Sequence, residues 1–198
     1  FFRIISPTPR STMTVQFDQW LDALRDHSRI FTESFGGLSA NELNWKNNEG
    51  SWSIAQVIEH LIRTNESYYP ILDQLSAGTY RTSWVAGIGF YARFMGNFLE
   101  KSLEPERKRK IRTFPVWEPS TSNIDGDIVA RFVTHHEALI EKLQANRQLF
   151  GKGKVISSPA NRYVVYPIDK APDILIVHEK RHYNQALEVK SFQKGTQF

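Results

Sequence analysis

Two histidines near the end of the chain, His178 and His182, stand four residues apart. On an α-helix this spacing is an offset of about 40° around the axis and a rise of about 6 Å, so both imidazoles can reach one point. The spacing suits a zinc-type ion. Nearby Ile174, Val177 and Val189 indicate that this helix face points inward, where a buried polar group without a partner costs about 1–3 kcal/mol. A metal ion would satisfy both imidazoles, and hydrogen bonds to neighbours or solvent are the alternative.

Residues 178–182 also match the H-E-x-x-H pattern of zinc metallopeptidases, in which the glutamate activates water. Those enzymes usually take a third ligand from further along the chain, and residues 183–198 offer one carboxylate, Glu188. Glu179 points about 100° away from His178 around the helix, toward solvent or a second subunit. Glu179 therefore remains a candidate catalytic base, and the lack of a suitable third ligand disfavours the zinc metallopeptidase interpretation.

Four further histidines precede this pair. His60 lies at the edge of an apolar helical stripe, where it could be a ligand or a half-buried, hydrogen-bonded histidine. His135 and His136 are adjacent, so only one can point fully inward. His135 is aligned with the apolar face and could orient a metal ligand by hydrogen bonding, with a packing role as the alternative. His27 lies on a polar stretch and has no predicted role.

Composition indicates one globular domain, with 198 residues, 40% of them hydrophobic and 23% charged. The absence of cysteine excludes disulfides, thiolate metal sites and a cysteine nucleophile, and fits a cytoplasmic location. The most apolar window, residues 84–99, contains Arg93 and is shorter than the ~20 residues that a membrane span needs.

The formal net charge is +4, and part of it comes from the basic run at residues 107–112. We interpret this run as a solvated loop or helix end, with a phosphate or anionic-lipid contact as the alternative. Nucleic-acid binding would need a basic stripe along one helix, which the sequence lacks.

Helical periodicity covers four long segments, at residues 14–35, 53–75, 125–150 and 171–192. Ser53 and Gln56 form a capping box at the start of the second segment. A long connection, residues 76–123, contains an apolar stretch at 80–101 that can form an extra helix, then a proline-containing loop at 104–122. Residues 163–166 form a strand or an extended lead-in to the last helix.

These segments predict an all-α fold, a four-helix bundle with a long crossover between its second and third helices. Residues 13–193 form the single domain, and residues 1–12 are an expected disordered extension ahead of Met13, a candidate natural start.

Two stretches resemble the DinB-like superfamily. Residues 52–61, W-S-I-A-Q-V-I-E-H-L, follow Trp45 and Gly50 and resemble that family's entry to its second helix. Residues 178–185, H-E-K-R-H-Y-N-Q, resemble its last-helix signature. The resemblance covers residues 14–192, with one histidine in the second helix and a pair in the fourth.

The resemblance implies a bundle that binds one divalent ion, zinc or alternatively nickel, through His60, His178 and His182. It implies frequent homodimers, and the family name does not imply DNA binding. Some relatives are thiol S-transferases that use bacillithiol, mycothiol or glutathione, and others have no known activity. The long connection and the His135–His136 pair depart from the family pattern.

Three functions remain open. Three imidazoles leave a coordination position for a ligand, which is typical of a catalytic site. The leading hypothesis is a thiol S-transferase that acts on a small-molecule thiol and an electrophile, and a metal-dependent hydrolase is the second. The third is a non-enzymatic stress-response module that binds a partner or lipid through residues 84–99. Gln185 is expected to orient a metal ligand, and Arg181 to orient a ligand or bind an anionic substrate.

Overall fold

Seven α-helices and two short strands make up the part of the chain that the computed structural model describes, residues 12–88, 90–103, 113–121 and 123–195. The helices are α1 (Thr12–Phe35), α2 (Ala40–Asn44), α3 (Ile54–Glu66), α4 (Tyr69–Ser76), α5 (Tyr91–Leu103), α6 (Ile128–Ala145) and α7 (Lys170–Gly195), and the strands are β1 (Val155–Ser158) and β2 (Asn161–Pro167). Single 3-10 turns occur at Trp84–Gly87, Pro115–Trp117 and Arg147–Leu149. Helix α1 begins one residue before the predicted domain, and residues 1–11 of the predicted extension lie outside the described residues.

Helices α1, α3, α6 and α7 form the bundle. Helix α1 packs against α6 and α7, and α3 packs against the same two helices, so the four close into a ring in the order α1, α6, α3, α7. The predicted all-α bundle is confirmed, and the β1–β2 sheet is a small addition among the described residues. The crossover from α4 to α6 carries the predicted extra helix, α5, which is shorter than expected because its first part is the 3-10 turn at Trp84–Gly87.

The predicted second helix is two helices with a break between them. Helix α3 begins at the expected capping box, in which the Gln56 backbone N–H donates to Ser53 Oγ and the Ser53 N–H donates to Gln56 Oε1, each over 3.2 Å. It ends at Glu66, and α4 starts at Tyr69 with Pro70 in its first turn. A proline inside a continuous helix has no N–H to donate to the carbonyl four residues earlier, so the chain restarts a new helix there.

A β-hairpin lies between α6 and α7, and the predicted third helix is shorter than expected because its last residues form the 3-10 turn at Arg147–Leu149. Helix α6 ends at Ala145, and Gly151 and Gly153 then take positive φ angles of 75° and 65°, which glycine adopts without steric cost. Strand β2 contains the predicted extended residues 163–166, and it pairs antiparallel with β1, opposing Ile156 to Tyr166. The sequence analysis did not predict β1.

The buried apolar side chains form a small cluster of Val85, Ala92 and Val165 and two large clusters along the bundle. On α1 one cluster ends at Leu24 and the other begins at Phe31, and on α7 the corresponding residues are Leu175 and Ala186. Between the clusters lies a layer of buried polar side chains, called the polar layer below: His27, His60, Thr64, Asn65, His135, His136, His178 and Glu179. Buried polar groups must be paired, so this layer is where the bundle can hold a ligand.

Candidate metal centre

Three histidines meet at one edge of the polar layer. His60 comes from the middle of α3, and His178 and His182 come from successive turns of α7, which packs against α3. One ring nitrogen from each lies within 4.8 Å of the other two. His60 and His178 are buried, whereas His182 is partly exposed and marks the open side of the cluster. The cluster is the set that the family resemblance implied.

The spacing of the nitrogens fits a metal ion. The Nε2 atoms of His60 and His178 are 3.2 Å apart. Two imidazole nitrogens bound tetrahedrally to one ion at about 2.0–2.1 Å would lie about 3.3 Å from each other. In the buried His178 side chain, Nδ1 has no hydrogen-bond partner. Two Nε2 atoms at this distance could instead share one proton in a hydrogen bond. A group of three imidazoles whose ring nitrogens all lie within 4.8 Å of one another could hold a metal ion.

Hydrogen bonds determine which nitrogen of two of these histidines carries the proton. His60 Nδ1 lies 2.7 Å from the carbonyl oxygen of Trp117, and His182 Nδ1 lies 2.7 Å from Gln185 Oε1. Both oxygens can only accept, so each Nδ1 must donate its N–H. Each Nε2 is then a lone-pair donor, the form in which imidazole binds a metal. Gln185, expected to orient a metal ligand, accepts this bond from His182, and the role of Trp117 was not predicted.

The three imidazoles are held neutral by their surroundings. Burial lowers the pKa of His178 well below its usual value, and the neighbouring His182 and His60 lower it further. Burial and His60 lower the pKa of His182 to about 3. Burial also lowers the pKa of His60, against the opposing effect of the hydrogen bond that its Nδ1–H donates to the Trp117 carbonyl. Neutral imidazole is the metal-binding form, so the cluster is prepared for a cation without losing protons.

The end of the long crossover is attached to the outer side of α3. Burial raises the pKa of Glu59, but the hydrogen bonds from Ser120 and the neighbouring Arg63 together outweigh it and lower the pKa overall. The Glu59 carboxylate accepts from the Ser120 N–H over 2.6 Å and from Ser120 Oγ over 2.9 Å. Gln56 Nε2 donates to the Ser120 carbonyl over 2.7 Å, and Arg63 donates to the Glu118 carbonyl over 2.7 Å. These bonds hold the segment that presents the Trp117 carbonyl to His60.

Trp52 covers the open side of the cluster. Its ring lies 4.9 Å from the His60 ring and stacks on the His182 ring at 6.1 Å, with 22° between the ring planes. Trp52 also lines an open cavity of about 720 Å³, together with Lys46, Glu49, Gln56 and Glu118. The structure places Trp52 between the histidines and a cavity large enough for a small molecule.

Glu179 lies inside the bundle, where it faces neither solvent nor a second subunit, so that expectation was wrong. Its carboxylate accepts from His27 Nδ1 over 2.6 Å, from His136 Nε2 over 3.0 Å and from Asn65 Nδ2 over 2.8 Å. We call these four residues the Glu179 network. Burial raises the pKa of Glu179, but His136 and His27 outweigh it and hold the pKa well below its usual range. Their helices, α1, α3, α6 and α7, are the four of the bundle, so the network joins all of them.

The remaining candidates have partners other than the three histidines. His135 Nδ1 lies 3.5 Å from Tyr69 Oη and 3.8 Å from Glu66, and the structure does not bring this side chain to His60, His178 or His182. Arg181 donates to the Ser102 carbonyl over 3.4 Å. His27 had no predicted role, because its polar stretch in the sequence shows no sign of its buried partner 152 residues away.

A model of the DinB superfamily matches residues 23–186. The chain belongs to the DinB superfamily. The matched region contains all three histidines of the cluster and the crossover that reaches His60, so the DinB assignment and the geometry concern the same part of the molecule. No curated protein and no solved structure gives a significant match. Within the described ranges of this DinB protein, no helix has the length and apolar character to cross a membrane.

Proposed function

We propose that this DinB superfamily protein is a metal-dependent thiol S-transferase whose divalent ion binds to His60, His178 and His182. The observation that supports the site most strongly is the pair of hydrogen bonds that leave Nε2 of His60 and of His182 as lone-pair donors in one cluster. Zinc is the first candidate for the ion and nickel the second, since imidazole suits both.

Three protein ligands leave a position for substrate, as catalytic rather than structural zinc sites do. A divalent ion bound there would supply Lewis acidity, which lowers the pKa of a thiol and makes it a nucleophile at neutral pH. In the proposed reaction a thiol R–SH and an electrophile R′–X give R–S–R′ and H–X. The sulfur–carbon bond forms as the carbon–X bond breaks, and the thiol proton leaves with X.

The surrounding residues would bind and orient the substrates. Trp52 separates the cluster from the cavity of about 720 Å³, which gives an electrophile room beside a hydrophobic wall. Arg181 is partly exposed and stands one residue before His182, and its positive charge adds to burial in lowering the pKa of His178 and of His182, so it is close enough to attract an anionic thiol. The Trp117 carbonyl and Gln185 keep their two imidazoles in the metal-binding tautomer.

A hydrolase on the same three ligands is less well supported. Such an enzyme needs a proton acceptor near its water nucleophile. Glu179 is the obvious candidate in the sequence, but its carboxylate is fully buried and already accepts from His27, His136 and Asn65 in the bundle interior. Thiol transfer needs no such base once the thiol pKa is lowered, so the orientation of Glu179 favours the transferase.

The first test is the metal content of untagged protein by mass spectrometry, beside the His178→Ala/His182→Ala double variant and a His135→Gln control. We expect about one divalent ion per chain in wild type and control, and its loss in the double variant. Wild-type protein that stays metal-free with added zinc and nickel would sink the three-histidine site.

The second test is thiol conjugation with bacillithiol, mycothiol or glutathione and a fluorogenic electrophile. Turnover that disappears in His60→Ala supports the transferase. A metal-loaded protein that conjugates none of these thiols but cleaves esters or amides would instead indicate the hydrolase. If the protein is instead a non-enzymatic module that binds a partner or lipid through residues 84–99, His60→Ala should leave that binding unchanged. The homodimer, the cytoplasmic location and the absence of nucleic-acid binding stay predictions.

A further inference from the structure

Helix α5 presents a row of aromatic side chains to solvent. Phe90, Phe94 and Phe98 follow one another at intervals of four residues and are 80%, 57% and 51% exposed. The rings of Phe94 and Phe98 stack with their centroids 6.3 Å apart. Trp84 and Ile88, just before the helix, are 72% and 44% exposed. We call these five residues the α5 face. Clustered large apolar side chains of this kind mark an interaction surface rather than ordinary surface scatter.

The opposite side of α5 is packed, which fixes the direction of the α5 face. Ala92 and Gly96 are buried, and α5 lies against β2 and α7. A Cβ added at Gly96 would be 3.2 Å from side-chain atoms of both Tyr166 and Lys170, so the helix backbone sits directly on these residues. The helix cannot turn its aromatic row inward without losing this close contact.

The surroundings of the α5 face are basic. Arg81, Arg93 and Lys101 are exposed. Residues 77–103 contain a single carboxylate, Glu100, and it accepts from Lys170 Nζ over 2.7 Å. The sequence continues after α5 with residues 104–112, which hold two Glu and five Lys or Arg and lie outside the described residues. Residues 77–103 thus combine exposed aromatic side chains with three exposed cations and one carboxylate, which is paired with Lys170.

We infer that the α5 face docks on the surface of an anionic lipid bilayer. Aromatic side chains are favoured at the boundary between headgroups and acyl chains, and Lys and Arg beside them are attracted to anionic headgroups. The protein lies on such a surface with Trp84, Phe90, Phe94 and Phe98 inserted to shallow depth. This interaction is separate from the metal cluster and does not depend on the proposed reaction.

A second copy of the chain fits the same face less well. In a two-fold symmetric contact the α5 face of one subunit packs against the α5 face of the other. Arg93 and Lys101 of one subunit would then meet the same positive charges on the other. Residues 77–103 supply no unpaired carboxylate to offset them, since Glu100 is already bonded to Lys170. Like charges brought together at an interface oppose association, whereas an anionic bilayer neutralises them.

The test is co-sedimentation of the full chain with lipid vesicles, either neutral phosphatidylcholine or with about a third phosphatidylserine. We expect binding to the anionic vesicles to exceed binding to the neutral ones by about tenfold or more at low salt, and to weaken as salt rises. Phe94→Ser/Phe98→Ser should lower the partition coefficient about tenfold or more, and Arg93→Gln/Lys101→Gln about tenfold.

Two controls carry the same chemical changes elsewhere on the surface. Val15→Ser/Leu187→Ser removes two exposed apolar side chains, and Arg131→Gln/Lys152→Gln removes two exposed cations. Both should bind vesicles like wild type. The inference is overturned if wild type ignores anionic vesicles at low salt, or if the α5 variants bind as well as their controls. A third outcome also overturns it: neither wild type nor any variant binds vesicles, and Phe94→Ser/Phe98→Ser abolishes self-association measured by sedimentation. The α5 face would then contact a second copy of the chain.

Discussion

The Nδ1 atom of His60 donates a hydrogen bond to the carbonyl oxygen of Trp117 over 2.7 Å. The bond joins a candidate metal ligand on α3 to the end of the long crossover, 57 residues further along the chain. Trp117 is itself held by a bond from its Nε1 to Ser67 Oγ over 3.1 Å, just after α3. The crossover therefore takes part in orienting the candidate metal centre.

Removal of Glu59 should weaken metal binding without touching a ligand. Glu59→Ala deletes both hydrogen bonds that the carboxylate accepts from Ser120, so the segment that carries the Trp117 carbonyl is held less firmly. Loss of a residue that orients a ligand typically costs about 10–100-fold in metal affinity, and we expect about tenfold here. Zinc titration calorimetry measures it, with the exposed Glu137→Ala as the control. Equal affinities in the two variants would show that the crossover does not orient His60.

Gln185 should matter through its oxygen. Gln185→Leu removes the acceptor of the His182 Nδ1–H and lets the imidazole rotate or change tautomer. We expect metal affinity to fall by about 10–100-fold. Gln185→Glu keeps an acceptor at this position and should retain binding close to wild type. If Leu and Glu at position 185 gave the same affinity, the hydrogen bond would have no role in binding.

Replacement of Glu179 should be a stability defect. Glu179→Ala leaves His27, His136 and Asn65 without their common partner in the bundle interior. Breaking a buried charged pair from one side costs about 3–5 kcal/mol in the free energy of unfolding. Urea denaturation of metal-free protein measures this cost, and the exposed Glu141→Ala provides the reference. A loss below about 1 kcal/mol would argue against the Glu179 network as the pairing that stabilises the polar layer.

The metal-free protein should lose stability in mild acid, and His135 should contribute. Burial and the neighbouring His136 lower the pKa of His135 to about 4 from an ordinary value of 6.5. Between these values the unfolded chain binds more protons, so stability is full above pH 6.5 and falls as the pH approaches 4. This pKa shift corresponds to about a few kcal/mol in the free energy of unfolding.

His135→Gln removes this titration and leaves the other histidines in place. Denaturation with a chelator present, at several pH values between about 4 and 7, should give a shallower decline for the variant than for wild type. Parallel declines would mean that protonation of His135 contributes nothing to the acid sensitivity.

Local patterns predicted the elements that hold the site. Ser53 and Gln56 predicted the start of α3 correctly, because a capping box is a contact between residues three apart. Pro70 also marks the break between α3 and α4 in the sequence. The apolar periodicity continues through it, however, and so predicts one continuous helix over residues 53–75. Helix α2 carries its own capping box, Ser39 with Glu42, and was missed because the helix is only five residues long.

The rest depends on distant pairings. Strand β1 carries little signal of its own, since its stability comes from β2 across the hairpin. His27 and Glu179 are 152 residues apart, so neither predicts its partner. The same holds for Trp117, whose backbone oxygen, the part that contacts His60, leaves no trace in residue type.

The sequence by itself determined that the fold is a helical bundle and that His178 and His182 can reach one point, because periodicity and helix geometry are local properties. It also placed His60 in a second helix through its resemblance to a family. Only the tertiary structure decided that Nε2 of His60 and Nε2 of His178 are 3.2 Å apart. It also decided that the Trp117 carbonyl orients the His60 imidazole and Gln185 the His182 imidazole. Finally, it decided that Glu179 points into the core. Those outcomes depend on how α3, α7 and the crossover pack, and packing is set by contacts between residues far apart in the chain.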